Sequence, residues 1–192
     1  MDTTTDGDCV VRAIRADEWE AVKRLRLVAL RDPVARIAFL ETYEDAVDRP
    51  DSFYRERAER SAAEPSGARQ FVAEAADGVW VGSLTVLVEE AGSTDWAGVP
   101  VERRQGHVVG VFVRPEYRGT GLINALFDAG VDWAWEQGAE RVRLLVHEGN
   151  PRAQGAYRRA GFVPSGVVVK FDKDETESEM EFVLERPSRV AP

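Results

Sequence analysis

The sequence has few of the residues that build disulfides, metal clusters and nucleophile motifs. Its 192 residues include one cysteine, Cys9, and two histidines, His107 and His147. One cysteine excludes an internal disulfide, and two separated histidines with one cysteine make no ligand cluster. The chain also lacks a G-x-S-x-G sequence, a P-loop and the dinucleotide fingerprint G-x-G-x-x-G, in which Asn124 takes the place of the third glycine. We therefore expect chemistry that needs neither a metal nor a covalent nucleophile.

Positive charge and long apolar runs are also scarce. The chain has 25 lysines and arginines against 34 aspartates and glutamates, a net charge of −9. Nucleic acids and anionic membranes need a basic protein surface, so we expect neither as a partner. No apolar run reaches membrane-spanning length, and the acidic N-terminus is unlike a signal peptide. The expected location is therefore the cytoplasm.

Length and composition fit one globular domain. Hydrophobic residues make up 44% of the chain and charged residues 31%, which is typical of folded proteins rather than disordered ones. We predict a single domain over residues 9–186, with residues 1–8 and 187–192 disordered.

Alternating apolar residues, helical spacing and turn signals predict a mixed sheet flanked by helices. The predicted strands are Cys9–Arg15, Gln70–Ala75, Val79–Val88, Val108–Val113, Arg141–His147, Phe162–Phe171 and Met180–Leu184. The predicted helices are Glu18–Arg31, a short piece over Ala38–Ala46, Pro50–Ala63, a central helix from Gly121 to Gln137, and Pro151–Gly161.

Three connections between these elements stand out. Asp77-Gly78 is a strong hairpin signal. The connection over Glu89–Arg104 is long enough to be either a functional lid or a mobile loop, and its Trp96 could cap a site, join a subunit contact or cover the core. Asp172–Glu179 reads as a solvated acidic loop, which would attract cations if it overhung the site.

The central stretch Val108–Phe127 reads as strand, turn and helix. Pro115 ends the strand, and Arg118 and two glycines, Gly119 and Gly121, form a tight turn into the helix. Unpaired N–H groups and the positive end of the helix dipole meet at such a turn, which suits an anion, and arginine adds a cation that fits phosphate. An ordinary strand-to-helix turn that binds nothing has the same glycines, so they leave both interpretations open.

Two motifs in this order and spacing resemble those of the GNAT superfamily, the acetyl-CoA-dependent N-acyltransferases. The first is V-x-P-x-x-R/Q-x-x-G-x-G/A, in which Ile123 replaces the last glycine or alanine although its N–H can still donate. Its matching residues are Val113, Pro115, Arg118 and Gly121. The second is V-x-x-x-N-x-x-A-x-x-x-Y-x-x-x-G-F, matched at Val146, Asn150, Ala153, Tyr157, Gly161 and Phe162.

The resemblance implies an α/β fold with a mixed, mostly antiparallel sheet of about seven strands, flanked by helices and splayed at its centre. It implies acetyl-CoA as co-substrate, with its pyrophosphate on the turn, its pantetheine paired with the central strand like an added strand, and the acceptor near the segment between the first two helices. The cofactor-binding residues that it implies are Val111, Phe112, Val113, Arg118, Gly119, Thr120, Gly121, Leu122, Ile123, Asn150 and Ala153.

Transfer to an amine raises a proton problem. An alkyl ammonium has a pKa near ~10.4, so only about one molecule in a thousand is nucleophilic at neutral pH. The resemblance implies that Tyr157 is the acid that protonates the leaving thiolate. For the base, His107 shares a strand face with Val109 and Val111 and titrates in the right range. Glu102, His147 and a water relay stay open as alternatives to His107.

The function that these features favour is transfer of acetyl from acetyl-CoA to a primary amine of a small molecule or peptide. A CoA-binding regulator without catalysis is the alternative that remains. A phosphoryl-transfer enzyme would need a magnesium carboxylate pair and a P-loop lysine, neither of which the sequence offers. The acceptor cannot be read from the sequence, and a homodimer through the last strands stays open.

Overall fold

The computed structural model describes residues 3–5, 9–64, 67–95 and 98–187, the first three as backbone only. The interpretations of Trp96 and of the terminal residues 1, 2, 6–8 and 188–192 lie outside the described residues. Within those ranges, no helix combines the length and the apolarity needed to cross a bilayer.

The order of elements follows the predicted alternation of strands and helices. The strands are β1 Thr3–Thr5, β2 Cys9–Ala13, β3 Ala68–Ala75, β4 Trp80–Glu89, β5 Gln105–Val113, β6 Arg141–His147, β7 Val163–Phe171 and β8 Asp174–Glu185. The helices are α1 Trp19–Ala29, α2 Ala35–Ala38, α3 Tyr43–Asp48, α4 Asp51–Ala62, α5 Leu122–Glu136 and α6 Pro151–Arg159.

The strands form one sheet in the order β1-β2-β3-β4-β5-β6-β8-β7. Every neighbouring pair is antiparallel except β5 and β6, which run parallel and pair only over Gln105–His107 and Arg141–Arg143. Beyond His107 and Arg143 the two strands have no ladder to each other. The mostly antiparallel sheet with splayed central strands is therefore confirmed, and β1 extends it beyond the expected seven.

A bulge in β5 marks the place where the strands separate. Thr85 of β4 pairs with Val109 and Ser83 pairs with Phe112, so Gly110 and Val111 together oppose one residue of β4. Gly110 has a φ of +65°, a conformation that side chains with a Cβ rarely adopt. A bulge bends its strand and increases the local twist. The bend in β5 thus opens the sheet at its centre.

Helices cover both faces of the sheet and build a core on each. On one face α5 buries Leu126 and Phe127 against the strands. On the other face α1 and α4 pack Leu25 and Tyr54 against Phe112 of β5. The site at the centre of the sheet is therefore held from two sides.

The acidic segment Asp172–Glu179 is mostly strand, so the predicted loop is wrong, although residues 172–176 are exposed as predicted. Only a turn at 172–173 separates β7 from β8, which already begins at Asp174. Two of the acidic side chains form ion pairs with other elements: Lys170 of β7 lies 3.3 Å from Glu175, and Arg36 of α2 lies 2.7 Å from Glu177. Pairing with β7 and these ion pairs explain why an acidic stretch continues the strand.

Smaller differences concern the N-terminus and the region after α1. Thr3–Thr5 pair with β2 as a strand where the sequence predicts no order. The single short helix expected over Ala38–Ala46 is two helices, α2 and α3, because Thr42 and Asp45 form a capping box that starts a new one.

The connection over Glu89–Arg104 is built against the sheet in its described part. Glu89 ends β4, Thr94 pairs with Pro100, and the carboxylate of Asp95 pairs with Arg143 of β6. The connection therefore lies over the segment where β5 and β6 still pair.

Gly106 tests how tightly that segment is packed. A Cβ at Gly106 would lie 2.9 Å from the Cβ of Ala134 and 3.3 Å from Val86, and a Cβ on a helix has no rotamer by which to move away. We expect Gly106→Ala to lower the free energy of unfolding by about 1–3 kcal/mol, the usual cost of overpacking. Urea denaturation followed by circular dichroism measures it.

Gly155→Ala in α6 is the matched control, because its Cβ would meet only Arg159 Nη1, at 3.5 Å. Alanine in a helix interior is expected to raise stability by about 0.5–1 kcal/mol. A Gly106→Ala variant as stable as wild type would contradict the tight packing at this point.

Candidate functional site

A cavity of about 200 Å³ lies between the splayed parts of β5 and β6. Its walls are Val108–Val113 of β5 and Leu144–His147 of β6, and Ala153, Ala156 and Tyr157 of α6 close one side. Because β5 and β6 do not pair here, one backbone edge of each strand faces the cavity. The cavity thus offers main-chain donors and acceptors between apolar side chains.

The turn before α5 lies at one end of this cavity. Gly119 and Gly121 have φ values of +83° and +86°, and a Cβ at either would meet nothing within 4 Å. Backbone conformation, and not space, is what requires glycine here. Gly121 is the N-cap of α5, so the unpaired N–H groups of the first helical turn are at this end of the cavity.

Most of the residues that the resemblance implies as cofactor-binding line the cavity. Those that line it are Val111, Phe112, Val113, Arg118, Gly119, Ile123, Asn150 and Ala153. Thr120 and Gly121 are exposed on the turn outside the cavity, and Leu122 is buried in the core. Their side chains therefore do not form its wall, although their backbone belongs to the turn.

Arg118 is held by two partners at the cavity's edge. Its Nε donates to the carbonyl of Val113 at 3.0 Å, and its Nη2 pairs with Asp32. Burial alone would raise the pKa of Asp32, but Arg118 and the N–H of Val34 hold it below its ordinary value. Sequence reasoning missed Asp32, which follows α1 and carries no local signal of its partner.

Asn150 caps α6 and lines the cavity at once. Its Oδ1 accepts from the N–H of Ala153 at 3.2 Å, and the residue is buried. With Oδ1 engaged, the amide NH₂ is the group that a ligand in the cavity would meet. The two interpretations of Asn150, a helix cap and a binding residue, are therefore compatible.

Tyr157 stands on α6 with its ring packed edge-on against Phe127, at 5.6 Å between centroids. Burial, followed by the charge of Glu179, raises the pKa of its hydroxyl to about 12. The hydroxyl therefore carries its proton at neutral pH and is a proton donor at the wall of the cavity.

Glu179 is a cavity residue that the sequence did not reveal. It lies on β8 opposite His147, is 8% exposed, and its Oε2 is buried with no hydrogen-bond partner among the described residues. Burial raises its pKa, with a further contribution from Asp172 and an opposing one from His147. The alternation of Glu179 and Glu181 with Met180 and Phe182 was the available signal, because it is typical of a strand.

His147 lines the cavity beside Glu179. Its Nδ1 accepts from the N–H of Gly149 at 3.0 Å, and its Nε2 lies 3.2 Å from Glu177. Glu177 also pairs with Arg36, so this carboxylate joins α2 to β6.

The structure does not bring His107 to the cavity. His107 is 1% exposed and its Nδ1 lies 2.8 Å from Glu89 and 3.4 Å from Nη2 of Arg143. Burial would raise the pKa of Glu89, but His107, Gln105 and Arg143 lower it to about 2. His107 therefore belongs to a buried charged network under the connection after β4. Glu102 is exposed and does not line the cavity either.

Comparison with known proteins agrees with this architecture. Residues 23–162 match the family model of the acetyltransferase (GNAT) family. A curated relative from Bacillus subtilis, named for ribosomal protein bS18-alanine N-acetyltransferase, is 28% identical over 92 residues, which cover 48% of this chain and 61% of the relative. A mycothiol acetyltransferase of Propionibacterium freudenreichii is 38% identical over 84 residues, 41% of this chain and 27% of the relative.

A solved structure extends the similarity to most of the fold. The PaiA N-acetyltransferase of Thermoplasma acidophilum, in complex with coenzyme A, superposes with a TM-score of 0.66 at 16% identity. The superposition covers 90% of this chain and 97% of that one. The two curated relatives, by contrast, are matched over less than two thirds of their own lengths.

The unpaired charge of Glu179 leads to a stability prediction with a defined sign. A raised carboxyl pKa means that Glu179 favours folding only below its ordinary pKa of 4.5, and that this contribution is lost as the pH rises through the folded value. We expect Glu179→Gln to be more stable than wild type at pH 7–8, with the difference vanishing below about pH 4.5. Denaturant unfolding across this range measures it.

Glu181→Gln is the matched control on the same strand. Glu181 is also buried, but it lies 3.1 Å from Arg143 and 2.6 Å from the hydroxyl of Ser165. Removing its charge takes away one of the three carboxylates around the buried Arg143, so this variant is expected to lose stability at pH 7. A loss of stability in both variants would show that Glu179 has a partner in solution.

Proposed function

Since the chain belongs to the acetyltransferase (GNAT) family, we propose that it transfers an acetyl group from acetyl-CoA to a primary amine, which attacks the thioester directly while both substrates are bound. The observation that carries the proposal is the cavity between the splayed strands, walled by unpaired backbone and by a protonated Tyr157. The relatives named above and the CoA complex of the PaiA enzyme support the same chemistry.

The turn and the open edge of β5 suit the two ends of CoA. The pyrophosphate lies at the N-terminus of α5, where helix N–H groups attract anions. Three arginines at the cavity, Arg118, Arg152 and Arg159, add positive charge against the carboxylates of Asp32 and Glu179. The pantetheine arm follows Val109–Val113 as an added strand would, because that edge has no ladder partner.

The bulge in β5 serves the thioester carbonyl. At Gly110 and Val111 the backbone leaves regular pairing with β4, so an N–H in this region is available to the thioester oxygen. A donor fixed before the reaction stabilises the negative charge that develops there, as in other acyl transfers.

Two side chains at the cavity, Glu179 and Tyr157, act as base and acid in the transfer. Glu179, with its buried and unpaired Oε2, accepts a proton from the ammonium directly or through a water, which leaves the neutral amine. The amine nitrogen then bonds to the carbonyl carbon, the carbon–sulfur bond breaks, and Tyr157 gives its proton to the leaving thiolate. The nitrogen loses its second proton as the amide forms, and this proton restores the hydroxyl of Tyr157 through water. His107 remains a prediction from the sequence, and the cavity geometry favours Glu179 over it.

Binding of the co-substrate has a direct thermal readout. Acetyl-CoA at about 100 times its Kd stabilises the native state by about 2.7 kcal/mol, which is a rise of about 5–10 °C in Tm for a chain of this size. Magnesium-ATP and NAD are expected to change the Tm far less. Arg118→Ala should reduce the shift, and more so at low salt, because one cation at the phosphates is lost.

Arg24→Ala is the control for that charge change, because Arg24 is exposed on α1 and pairs only at 3.6 Å with Glu20. A Tm shift with magnesium-ATP and none with acetyl-CoA would overturn the proposed co-substrate.

Tyr157→Phe tests the acid, because it keeps the ring packing and removes only the hydroxyl. Turnover with a panel of amines, measured as thiol release, is expected to fall roughly 10²–10⁴-fold, the usual contribution of a positioned acid. The Kd of acetyl-CoA should stay near wild type.

Tyr43→Phe, in which the lost hydroxyl contacts only Arg31 on the surface, should keep full activity. Glu179→Gln in the same assay tests the base: its rate should follow the amine's own titration alone. Full activity in Tyr157→Phe would exclude its role as acid, and acetyl-CoA binding without turnover of any amine would favour the non-catalytic regulator.

A further inference from the structure

A second cavity lies under α1 and α4. It meets the first cavity at Gly110 and Phe112, which line both. Its volume is about 30 Å³, room for about two water molecules and therefore for one compact polar group. Through the bulge, this group would lie next to the point where the thioester is expected.

The second cavity has more positive than negative charge. Glu41 is the only carboxylate among its described lining residues, and it is already shared by Arg26 at 3.0 Å and Arg49 at 3.3 Å. Arg57, which also lines the cavity, makes no ion pair or hydrogen bond within the described part of the chain. Arg57 therefore lines the cavity without an ion-pair partner of its own.

The surroundings of Arg57 make this lack of a partner costly. Its pKa is lowered, first by burial and then by the nearby charge of Arg26, even though Glu41 opposes the effect. Arg57 is partly exposed, and a charge that loses part of its hydration without a partner destabilises the fold. An arginine kept in this position is explained if a bound anion completes it.

The sheet side of the cavity is polar as well. Gln70, Ser83 and Thr85 are buried there, each less than 9% exposed. The Oε1 of Gln70 has no hydrogen-bond partner among the described residues, so it offers an acceptor to an N–H group. The cavity thus offers the guanidinium of Arg57, which can bind an anion, and the Oε1 of Gln70, which can accept a hydrogen bond from an amine.

We propose that the acceptor is a small amine that also carries a carboxylate, such as an amino acid, with the carboxylate bound by Arg57 and the amine reaching the cofactor cavity at Gly110. This inference rests on the proposed function and narrows its substrate class. Arginine and a carboxylate form paired, charge-assisted hydrogen bonds. Polyamines are disfavoured, because a second ammonium would meet Arg57 instead of an anion.

Matched acids and amides test the substrate class. Thiol release at saturating acetyl-CoA is measured with L-alanine, β-alanine and γ-aminobutyrate, each against its own carboxamide, and with spermidine. The amides keep the amine and remove only the negative charge. We expect the preferred acid to exceed its amide at least about tenfold in kcat/KM, the size of one charged hydrogen bond.

Variants of Arg57 link the preference to this residue. Arg57→Met is expected to raise KM for the preferred acid about 10–100-fold while leaving KM for acetyl-CoA and kcat/KM for the amide within about twofold. Arg57→Lys, which keeps the charge, should recover part of the loss. Arg55→Met is the control, because Arg55 is exposed on the same helix, with its guanidinium over Trp19, and does not line the cavity.

The outcomes separate the two levels of the proposal. Equal turnover of acid and amide, a preference for spermidine, or an Arg57→Met variant that affects acid and amide alike would overturn the carboxylate proposal and leave the acetyltransferase intact. No thiol release from any amine, together with no stabilisation by acetyl-CoA, would overturn the proposed function and this inference with it.

Discussion

The short parallel pairing of β5 and β6 is the constraint on which the rest of the site depends. Three residues of each strand keep the ladder, and the strands then part around a bulge at Gly110. A gap in the middle of a sheet would expose unpaired backbone unless something fills it. The buried partners of Arg143, which are Glu89, Asp95 and Glu181, hold the paired segment closed. The gap can therefore stay open without loosening the sheet on either side.

The residues that line the two cavities differ in charge from the protein as a whole. The chain carries a net charge of −9, yet both cavities at the centre of the sheet are lined by more arginines than carboxylates. The acidic residues lie largely on the outside or in ion pairs such as that of Glu177 with Arg36. Net charge thus describes the outer surface, and it says little about the ligands that the interior is built to hold.

How much of the molecule the sequence predicts depends on how local the cause is. The glycine turn, the cap at Asn150 and the order of elements come from neighbouring residues, and the sequence predicts them except for β1 and the division into α2 and α3. Gly110 stood in the middle of a predicted strand, which is a known signal of a bulge, but only pairing with β4 shows the bend. Composition was misleading in β8. Its acidic residues suggested a solvated loop, whereas pairing with β7 and β6 makes the segment a strand.

His107 and Glu179 show the same limit at the site. Strand periodicity groups His107 with Val109 and Val111. Its actual position depends on contacts with Glu89 and Arg143 from other strands, and it lies away from the cavity. Glu179 lines the cavity because β8 pairs with β6, although α6 and β7 separate these two strands in the chain. Neither fact is encoded near the residue concerned. The role of Tyr157 came from a motif, and its position at the cavity agrees with the motif without testing the role.

The wall that the two cavities share has a consequence for the order of events. Gly110 and Phe112 are the common lining, so under the proposed function the two substrates occupy separate cavities and meet only at the bulge. Neither has to pass the other on entering, and neither product blocks the exit of its counterpart. The architecture is thus suited to a random kinetic order, in which a high concentration of one substrate does not trap the enzyme against the other.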